Sequence, residues 1–328
     1  MKTLRFGILG AARITPAALV YPAADVAGIE LTCVAARDRG RAEDFAAEHA
    51  IGEVLDGYAD VIAADVDAIY VPLPISAHHE WTLAALAAGK HVLCEKAIAS
   101  NAREAGEMAA AADAAGRVLM EAFHYRYHPL FLRVLALLRD GAVGRLRRIE
   151  GDFAVPHIRA GDIRLDFTTG GGGLMDLGAY PVHWLRHVSG LEPEVRSATA
   201  RTGPAQVDIV MEADFVFPGA PELSGRIRSS MAPEEAFAAR LVIEGDAGRM
   251  EVTNPLAPQM GHDLRLDNAG GTLREQVDRT PSYTYQLEAF ASAVRDGTPV
   301  PTDGHDGAAN MRVIDAIYAA AGLRLRGT

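Results

Sequence analysis

The chain has 328 residues, 49% of them hydrophobic and 23% charged, with a formal net charge of -11. This length and apolar content support a large core and favour two domains over one. An acidic chain without a basic run is a poor binder of nucleic acid or of an anionic membrane. The two cysteines, Cys33 and Cys94, sit inside apolar strand-like runs, so they read as buried thiols of a reducing compartment rather than a disulfide framework. The opening "MKTLRFGILG" is too short for a signal segment, and no run of 18 apolar residues exists, so a soluble, cytoplasmic protein is expected.

Short apolar runs occupy 4–9, 30–36, 67–72, 91–94 and 117–121, with Ala-rich segments of helical period at 15–27, 40–49, 76–88 and 100–115. Strand alternating with helix at this spacing predicts βαβ units and a parallel sheet whose strands are covered on both faces. After about residue 122 the pattern changes to longer, partly alternating segments such as RRIEGDFAV, QVDIVMEADFVF and AARLVIEGD, which read as antiparallel strands with one wet face. Helical segments close the chain at about 283–296 and 306–322. The expected architecture is an α/β Rossmann domain, a doubly wound parallel sheet, over 1–122. An α+β domain with an open-faced, mostly antiparallel sheet, for substrate binding and oligomerisation, is expected over 123–328.

The first strand leads into "GILGAARITPAAL", placing Gly7, Gly10 and Ala12 before a Thr15-Pro16 helix start, with Arg13 and Ile14 in the same turn. Small residues let the backbone approach a pyrophosphate, and a helix N-terminus offers free N–H groups and partial positive charge. The second strand ends at "AARDRGRAEDF", where the ribose of a dinucleotide is read. Arg37, Arg39 and Arg41 crowd a single Asp38 there. Guanidinium suits a 2′-phosphate and carboxylate a free 2′-hydroxyl, so NADP is favoured over NAD.

With the stretches "AAGKHVLCEKAI", "MEAFHYRYHP" and "GGGGLMDLGAYPVHWLR" added, the chain resembles the Gfo/Idh/MocA family of oxidoreductases over essentially its whole length. It is most similar to the branch of dimeric dihydrodiol dehydrogenase and glucose–fructose oxidoreductase. The resemblance implies a nicotinamide cofactor, sugar, polyol or dihydrodiol substrates, and an open sheet that often carries a subunit partner, hence a homodimer or homotetramer. It also implies cofactor contacts from Pro72, Leu73, His78, Glu95, Lys96 and Arg126. Glu95-Lys96-Ala97 stands where the family has Glu-Lys-Pro, and that proline often follows a cis bond. A cis bond before a residue other than proline costs about 2.5–4 kcal/mol, so a trans Lys96–Ala97 bond is expected. In "PISAHH", Ile75 replaces the usual polar residue and His78 keeps the histidine.

Asp176, Tyr180 and His183 lie at i, i+4 and i+7, on one face of a helix, after four glycines at 170–173 that permit a close approach. Pro181 is expected to kink that helix just beyond Tyr180. Hydride transfer to or from a carbinol carbon also requires a proton at its oxygen. A tyrosine of ordinary pKa, about 10, needs a nearby ammonium to act as a base near neutrality. The dihydrodiol dehydrogenase branch implies Tyr180 as general acid/base, Lys96 as its electrostatic partner and Asp176 as substrate anchor, with Tyr180 and Lys96 meeting at one oxygen. His124, Arg159 and His183 are further substrate candidates, with His157 beside Arg159. His124 and His128 have metal-like i, i+4 spacing, but no cysteine or acid joins them and Pro129 ends the segment, so no metal is expected. Tyr283 or Tyr285 closes over the nicotinamide or simply packs a helix on the sheet. A cofactor-binding regulator without catalysis, and a lyase or epimerase using bound cofactor, are the rival functions; retention of Lys96 and Tyr180 argues against the first.

Overall fold

A computed structural model describes residues 3–156, 159, 161–203 and 206–328. The chain forms two compact units: Met1–His124 with Tyr283–Ala308, and Tyr125–Ser282 with Ala309–Thr328. The segment 283–308, which lies far downstream of residue 122, therefore groups with the first unit. Among the described residues no helix is long and apolar enough to cross a membrane.

The first unit is built on a six-stranded parallel sheet of order β3-β2-β1-β4-β5-β6. Its strands are β1 (Leu4–Leu9), β2 (Ile29–Ala35), β3 (Glu53–Val54), β4 (Ala68–Val71), β5 (His91–Cys94) and β6 (Leu119–Glu121). Phe6, Ile8, Val34, Ile69, Tyr70, Val92 and Leu93 have no solvent exposure, the burial that strands covered on both faces require. The connecting helices are α1 (Tyr21–Asp25), entered through a π turn at Pro16–Val20, α2 (Arg39–His49), α3 (Tyr58–Ala63), α4 (His78–Ala87) and α5 (Ala102–Ala115). Their ends follow local chemistry. Asp38 caps α2 by accepting the Arg41 N–H and Asn101 caps α5 by accepting the Glu104 N–H, while Gly116 ends α5 in the left-handed region. The return segment is tied in by an Asp303–Met120 bridge, by Thr302 bonding to Glu121, and by Phe290 of α8 (Ser282–Asp296) against Phe6. β3 escapes a reading by period because two residues have none; it pairs with Cys33 and Val34.

Both cysteines are free and buried. Burial first, then the Glu53 carboxylate, pushes the Cys33 thiol up to about 11, so it is protonated and unreactive at neutral pH.

The second unit opens with α6 (Pro129–Arg139) and carries an eight-stranded sheet of order β14-β13-β12-β11-β7-β10-β9-β8. The strands are β7 (Leu146–Ala154), β8 (Glu194–Thr202), β9 (Asp208–Val216), β10 (Ser224–Ser230), β11 (Ala238–Gly245), β12 (Gly248–Thr253), β13 (Asp263–Asn268) and β14 (Gly271–Glu275). Every neighbouring pair is antiparallel except β7 with β10. Pro129 begins a helix as well as ending the preceding segment: it sits in the first turn of α6 and His128 is the N-cap.

On one face of this sheet lies α7 (Ala179–Ser189). A β-carbon on Gly151 would stand 2.8 Å from Pro181 Cβ, and one on Gly225 2.7 Å from Leu185 Cδ2. Two strand glycines thus let the helix backbone close on the central strands. On the other face, arginines and carboxylates pair across strands, as Arg226 with Glu212, Arg228 with Asp152 and Arg240 bidentately with Glu251. Such exposed pairs add little stability, but they keep the open face polar. Replacing Gly151 with valine is expected to overpack the helix–sheet contact and cost about 1–3 kcal/mol. Urea unfolding followed by Trp184 fluorescence in a Trp81→Phe background checks this; an unchanged midpoint would mean that α7 does not rest on β7.

Candidate active site

The order β3-β2-β1-β4 places a topological switch between β1 and β4, and α/β sheets bind ligands at the carboxyl ends of strands beside such a switch. Gly10 has φ +100, a conformation that requires glycine, and its N–H is held by the Ala35 carbonyl. Gly7 serves packing instead: a β-carbon there would meet Val61 Cγ1 at 2.5 Å. Ala12, Arg13 and Ile14 form the outer part of the turn, with Arg13 and Ile14 exposed. Thr15 is fully buried at the helix start, and its Oγ1 has no hydrogen-bond partner among the described residues. A buried hydroxyl left over at this turn fits a pyrophosphate oxygen.

The arginine cluster divides by role. Arg39 pairs with Glu43 and Asp56, and Arg41 donates from Nη2 to the Ala11 carbonyl at 3.0 Å, bracing the glycine turn. Asp38 is occupied as the cap of α2. Arg37 is exposed. Tyr58 was not singled out from sequence; its hydroxyl lies 3.7 Å from where a β-carbon on Gly10 would stand, and its ring packs edge-on against Trp81. Burial is the main cause that raises its pKa.

Lys96 follows β5 and is half-buried, while Ala97, Ile98 and Ala99 have no exposure. The Lys96–Ala97 peptide is cis, which overturns the expectation of a trans bond. The loop is held from both sides. His78, at the start of α4 and fully buried, sets Nδ1 3.0 Å from the Ala97 carbonyl oxygen and Nε2 2.8 Å from the Leu73 carbonyl oxygen. Glu121, at the end of β6 and 1% exposed, accepts the Ile98 N–H at 2.9 Å. Glu95 accepts the Tyr70 hydroxyl at 2.7 Å. Pro72 is buried, and Leu73 reaches toward Gly10. Among the expected cofactor contacts, then, His78 and Glu95 hold neighbouring backbone and side chains. His124 packs against Tyr283, their rings tilted by 34° with centroids 4.0 Å apart.

In the second unit, Asp176 lies in a π turn (Leu174–Gly178) and Tyr180 at the start of α7. The irregularity thus precedes Tyr180 rather than following it. Pro181 falls in the first turn of α7, where a missing N–H is tolerated. Tyr180 is 6% exposed, its ring edge-on to Phe153 and Tyr125. His183 is fully buried, its Nδ1 2.5 Å from the Tyr125 hydroxyl and its ring stacked on His187. Arg126 donates from Nε to His187 Nδ1 at 3.0 Å. His128 accepts the Leu130 N–H at Nδ1 and faces the Thr280 carbonyl at Nε2, so both ring nitrogens are engaged in fixing α6. Arg159 is exposed, and His157 lies outside the described residues. Arg164, which sequence reasoning missed, donates from Nε to Asp176 at 2.6 Å and from Nη1 to Asp162 at 3.1 Å. The Asp176 charge is the main cause that raises the Arg164 pKa.

A switch-point glycine turn, an arginine cluster at the ribose position and a lysine at a strand end define a dinucleotide-dependent oxidoreductase. Residues 4–123 match the Gfo/Idh/MocA oxidoreductase family, NAD-binding Rossmann fold, and residues 131–251 match the GFO/IDH/MocA C-terminal domain. The chain belongs to the Gfo/Idh/MocA family and is an NAD(P)-dependent oxidoreductase. D-xylose 1-dehydrogenase (NADP(+)) 2 of Haloferax volcanii is 34% identical over 97% of each chain. Trans-1,2-dihydrobenzene-1,2-diol dehydrogenase of Mus musculus is 34% identical over 70% of this chain and 68% of its own. A 3-ketoreductase of Actinomadura kijaniata, solved with NADP and TDP-benzene, superposes with a TM-score of 0.90 at 27% identity, covering 97% of this chain and 98% of the other.

Burial is the main cause that pushes the His78 pKa below the ordinary imidazole range, with its two carbonyl partners acting against it. His78 is therefore neutral in the folded protein where an unfolded histidine takes up a proton. Its contribution to stability is full above the ordinary histidine pKa and is lost as pH falls from there toward the depressed folded value. The melting temperature is expected to fall between about pH 7.5 and about pH 5.5, and to fall less steeply in His78→Gln. Identical slopes for the two proteins would show that His78 takes up its proton equally in the folded and unfolded states.

Proposed function

We propose that the chain is an NADP-preferring dehydrogenase or reductase acting on a carbinol or carbonyl carbon of a sugar, polyol or cyclic dihydrodiol. The single observation that carries the reading is Lys96, held at the carboxyl end of β5 by the buried His78 and Glu121. The relatives named for a pentose and for a cyclic diol support the substrate class. Both of those substrates have an oxygen-bearing carbon next to the reacting one.

Gly10, Ala12, Arg13, Ile14 and Thr15 hold the pyrophosphate side of the cofactor, and Arg37 with Arg41 the 2′-phosphate. Asp38 is occupied as a helix cap, which leaves less carboxylate for a free 2′-hydroxyl. Bound NADP supplies the hydride acceptor in oxidation, or the donor in reduction. Tyr180 takes the hydroxyl proton at its phenolic oxygen in oxidation and returns it in reduction. The Lys96 ammonium orients and polarises the substrate oxygen. Asp176 accepts a hydrogen bond from a second substrate hydroxyl, and Arg164 holds its carboxylate in place. Burial of both cysteines supports a cytoplasmic, reducing location, and the open sheet supports a homodimer or homotetramer.

Sugars, polyols and dihydrodiols are to be screened with NADP and NAD for a change in nicotinamide absorbance. Lys96→Ala and Tyr180→Phe are each expected to lower kcat by roughly 100- to 10,000-fold on whichever substrate turns over. Undiminished hydride transfer in both variants would reject the mechanism. Arg37→Ala is expected to weaken NADP by about tenfold and leave NAD unchanged, as loss of one charge-assisted phosphate contact predicts; equal affinities unaffected by the substitution would reject the NADP preference.

A further inference from the structure

We propose that Arg326, acting with Asp208, is a positioning residue for the segment that presents Asp176 and Tyr180, so that the C-terminal tail sets the geometry of the substrate side of the site. The inference rests on the roles given above to Asp176 and Tyr180. Its structural premises all lie within the second unit.

Arg326 and Asp208 have no solvent exposure and pair at 2.6 Å. Arg326 donates from Nε to the Gly171 carbonyl at 2.6 Å and from Nη1 to the Arg324 carbonyl at 3.0 Å. Its guanidinium lies over the rings of Tyr318 and Phe167, with its carbon 4.3 Å and 4.6 Å from their centroids. Asp208, the first residue of β9, accepts the Tyr318 hydroxyl at Oδ1 (2.9 Å) and the Leu174 N–H at Oδ2 (2.6 Å). Leu174 opens the π turn that contains Asp176, and the Asp176 N–H bonds back to the Gly172 carbonyl at 2.9 Å. The tail therefore grips the glycine run at Gly171 and, through Asp208, grips the turn at Leu174.

This network also accounts for a glycine. Gly172 has φ +144, and a β-carbon on it would stand 2.3 Å from Asp208 Oδ1, 2.7 Å from the Tyr318 oxygen and 2.8 Å from Arg326 Nη2. The glycine run is thus shaped at this position by the buried ion pair behind it. Burial pushes the Asp208 carboxyl up, and the Leu174 amide, Arg326 and Tyr318 act against that shift. Three donors on one buried carboxylate, one of them a planar guanidinium that also grips Gly171, leave the start of the π turn few alternative positions.

A buried ion pair that served stability alone would leave a folded variant with unaltered catalysis, and with exchange in 171–180 no more accelerated than in the rest of the second unit. The test uses the full chain as Arg326→Ala and Arg326→Lys, the second keeping the charge but losing the planar fork. Three quantities are measured: amide hydrogen exchange over 171–180, NADP affinity, and kcat and KM on the best substrate of the screen. The expected result is faster exchange in 171–180, unchanged NADP affinity and a loss in kcat of roughly 10- to 100-fold, the size that a small misplacement of reacting groups produces. Millimolar methylguanidinium is expected to restore part of the loss in Arg326→Ala. If Arg326→Ala does not fold, Arg326→Lys decides. Protection over 171–180 and kcat both at the wild-type level in a folded variant would overturn the proposal. If no sugar or diol is turned over by the wild type, the function above fails on its own, and exchange over 171–180 alone decides the positioning role.

Discussion

The structure depends on one constraint: where a buried strand stops, the peptide groups beyond it remain out of water and must find partners. Behind β4, β5 and β6 the partners are side chains. His78 sets a ring nitrogen against each of the carbonyls of Leu73 and Ala97, its single N–H donating to one of them, and Glu121 accepts the Ile98 amide. Because these groups are buried, each bond is worth more than it would be in water, and losing a partner leaves an unsatisfied group. Lys96 therefore stands on a loop whose backbone has little freedom. A cation that orients a substrate oxygen needs this kind of support.

The second unit meets the same constraint with an ion pair. Its glycine run and π turn carry peptide groups that regular secondary structure does not use, and Asp208 and Arg326 satisfy them from behind. Close contact is achieved by removing side chains: Gly151 and Gly225 admit α7 to the sheet, and Gly172 admits the Asp208–Tyr318–Arg326 cluster. The opposite sheet face carries charges paired across strands, so the two faces of one sheet follow opposite rules: close apolar packing on one, solvated ion pairs on the other.

Much of this was legible in the residues. The apolar runs of β1, β2, β4, β5 and β6 stand out because parallel strands are apolar on both faces. Lys96 stands out because a charge directly after such a run lies at the ligand-binding edge. β8, β13 and β14 were missed because they lie at or near the sheet edges, where exposed alternation carries little apolar signal; most of β8 is exposed or half-exposed. α6 was missed because Pro129 reads equally well as a stop and as a first-turn residue. The π turn at 174–178 was read as regular helix because its residues are ordinary helix formers and glycine. Arg164 carries no motif; only its distance to Asp176 singles it out.

The sequence by itself determined the class of fold, the dinucleotide turn, the arginine cluster at the ribose position and the family, since these rest on local pattern: period, small residues, and charge at strand ends. Tertiary structure alone decided the cis Lys96–Ala97 bond, the clamp of His78 and Glu121 on the Lys96 loop, the burial of His183, and the pairing of Arg326 with Asp208. The physical reason is range. Propensity and periodicity act over a few residues, whereas Arg326 and Asp208 are separated by 118 positions. Satisfaction of buried polar groups is settled only when distant segments are packed together.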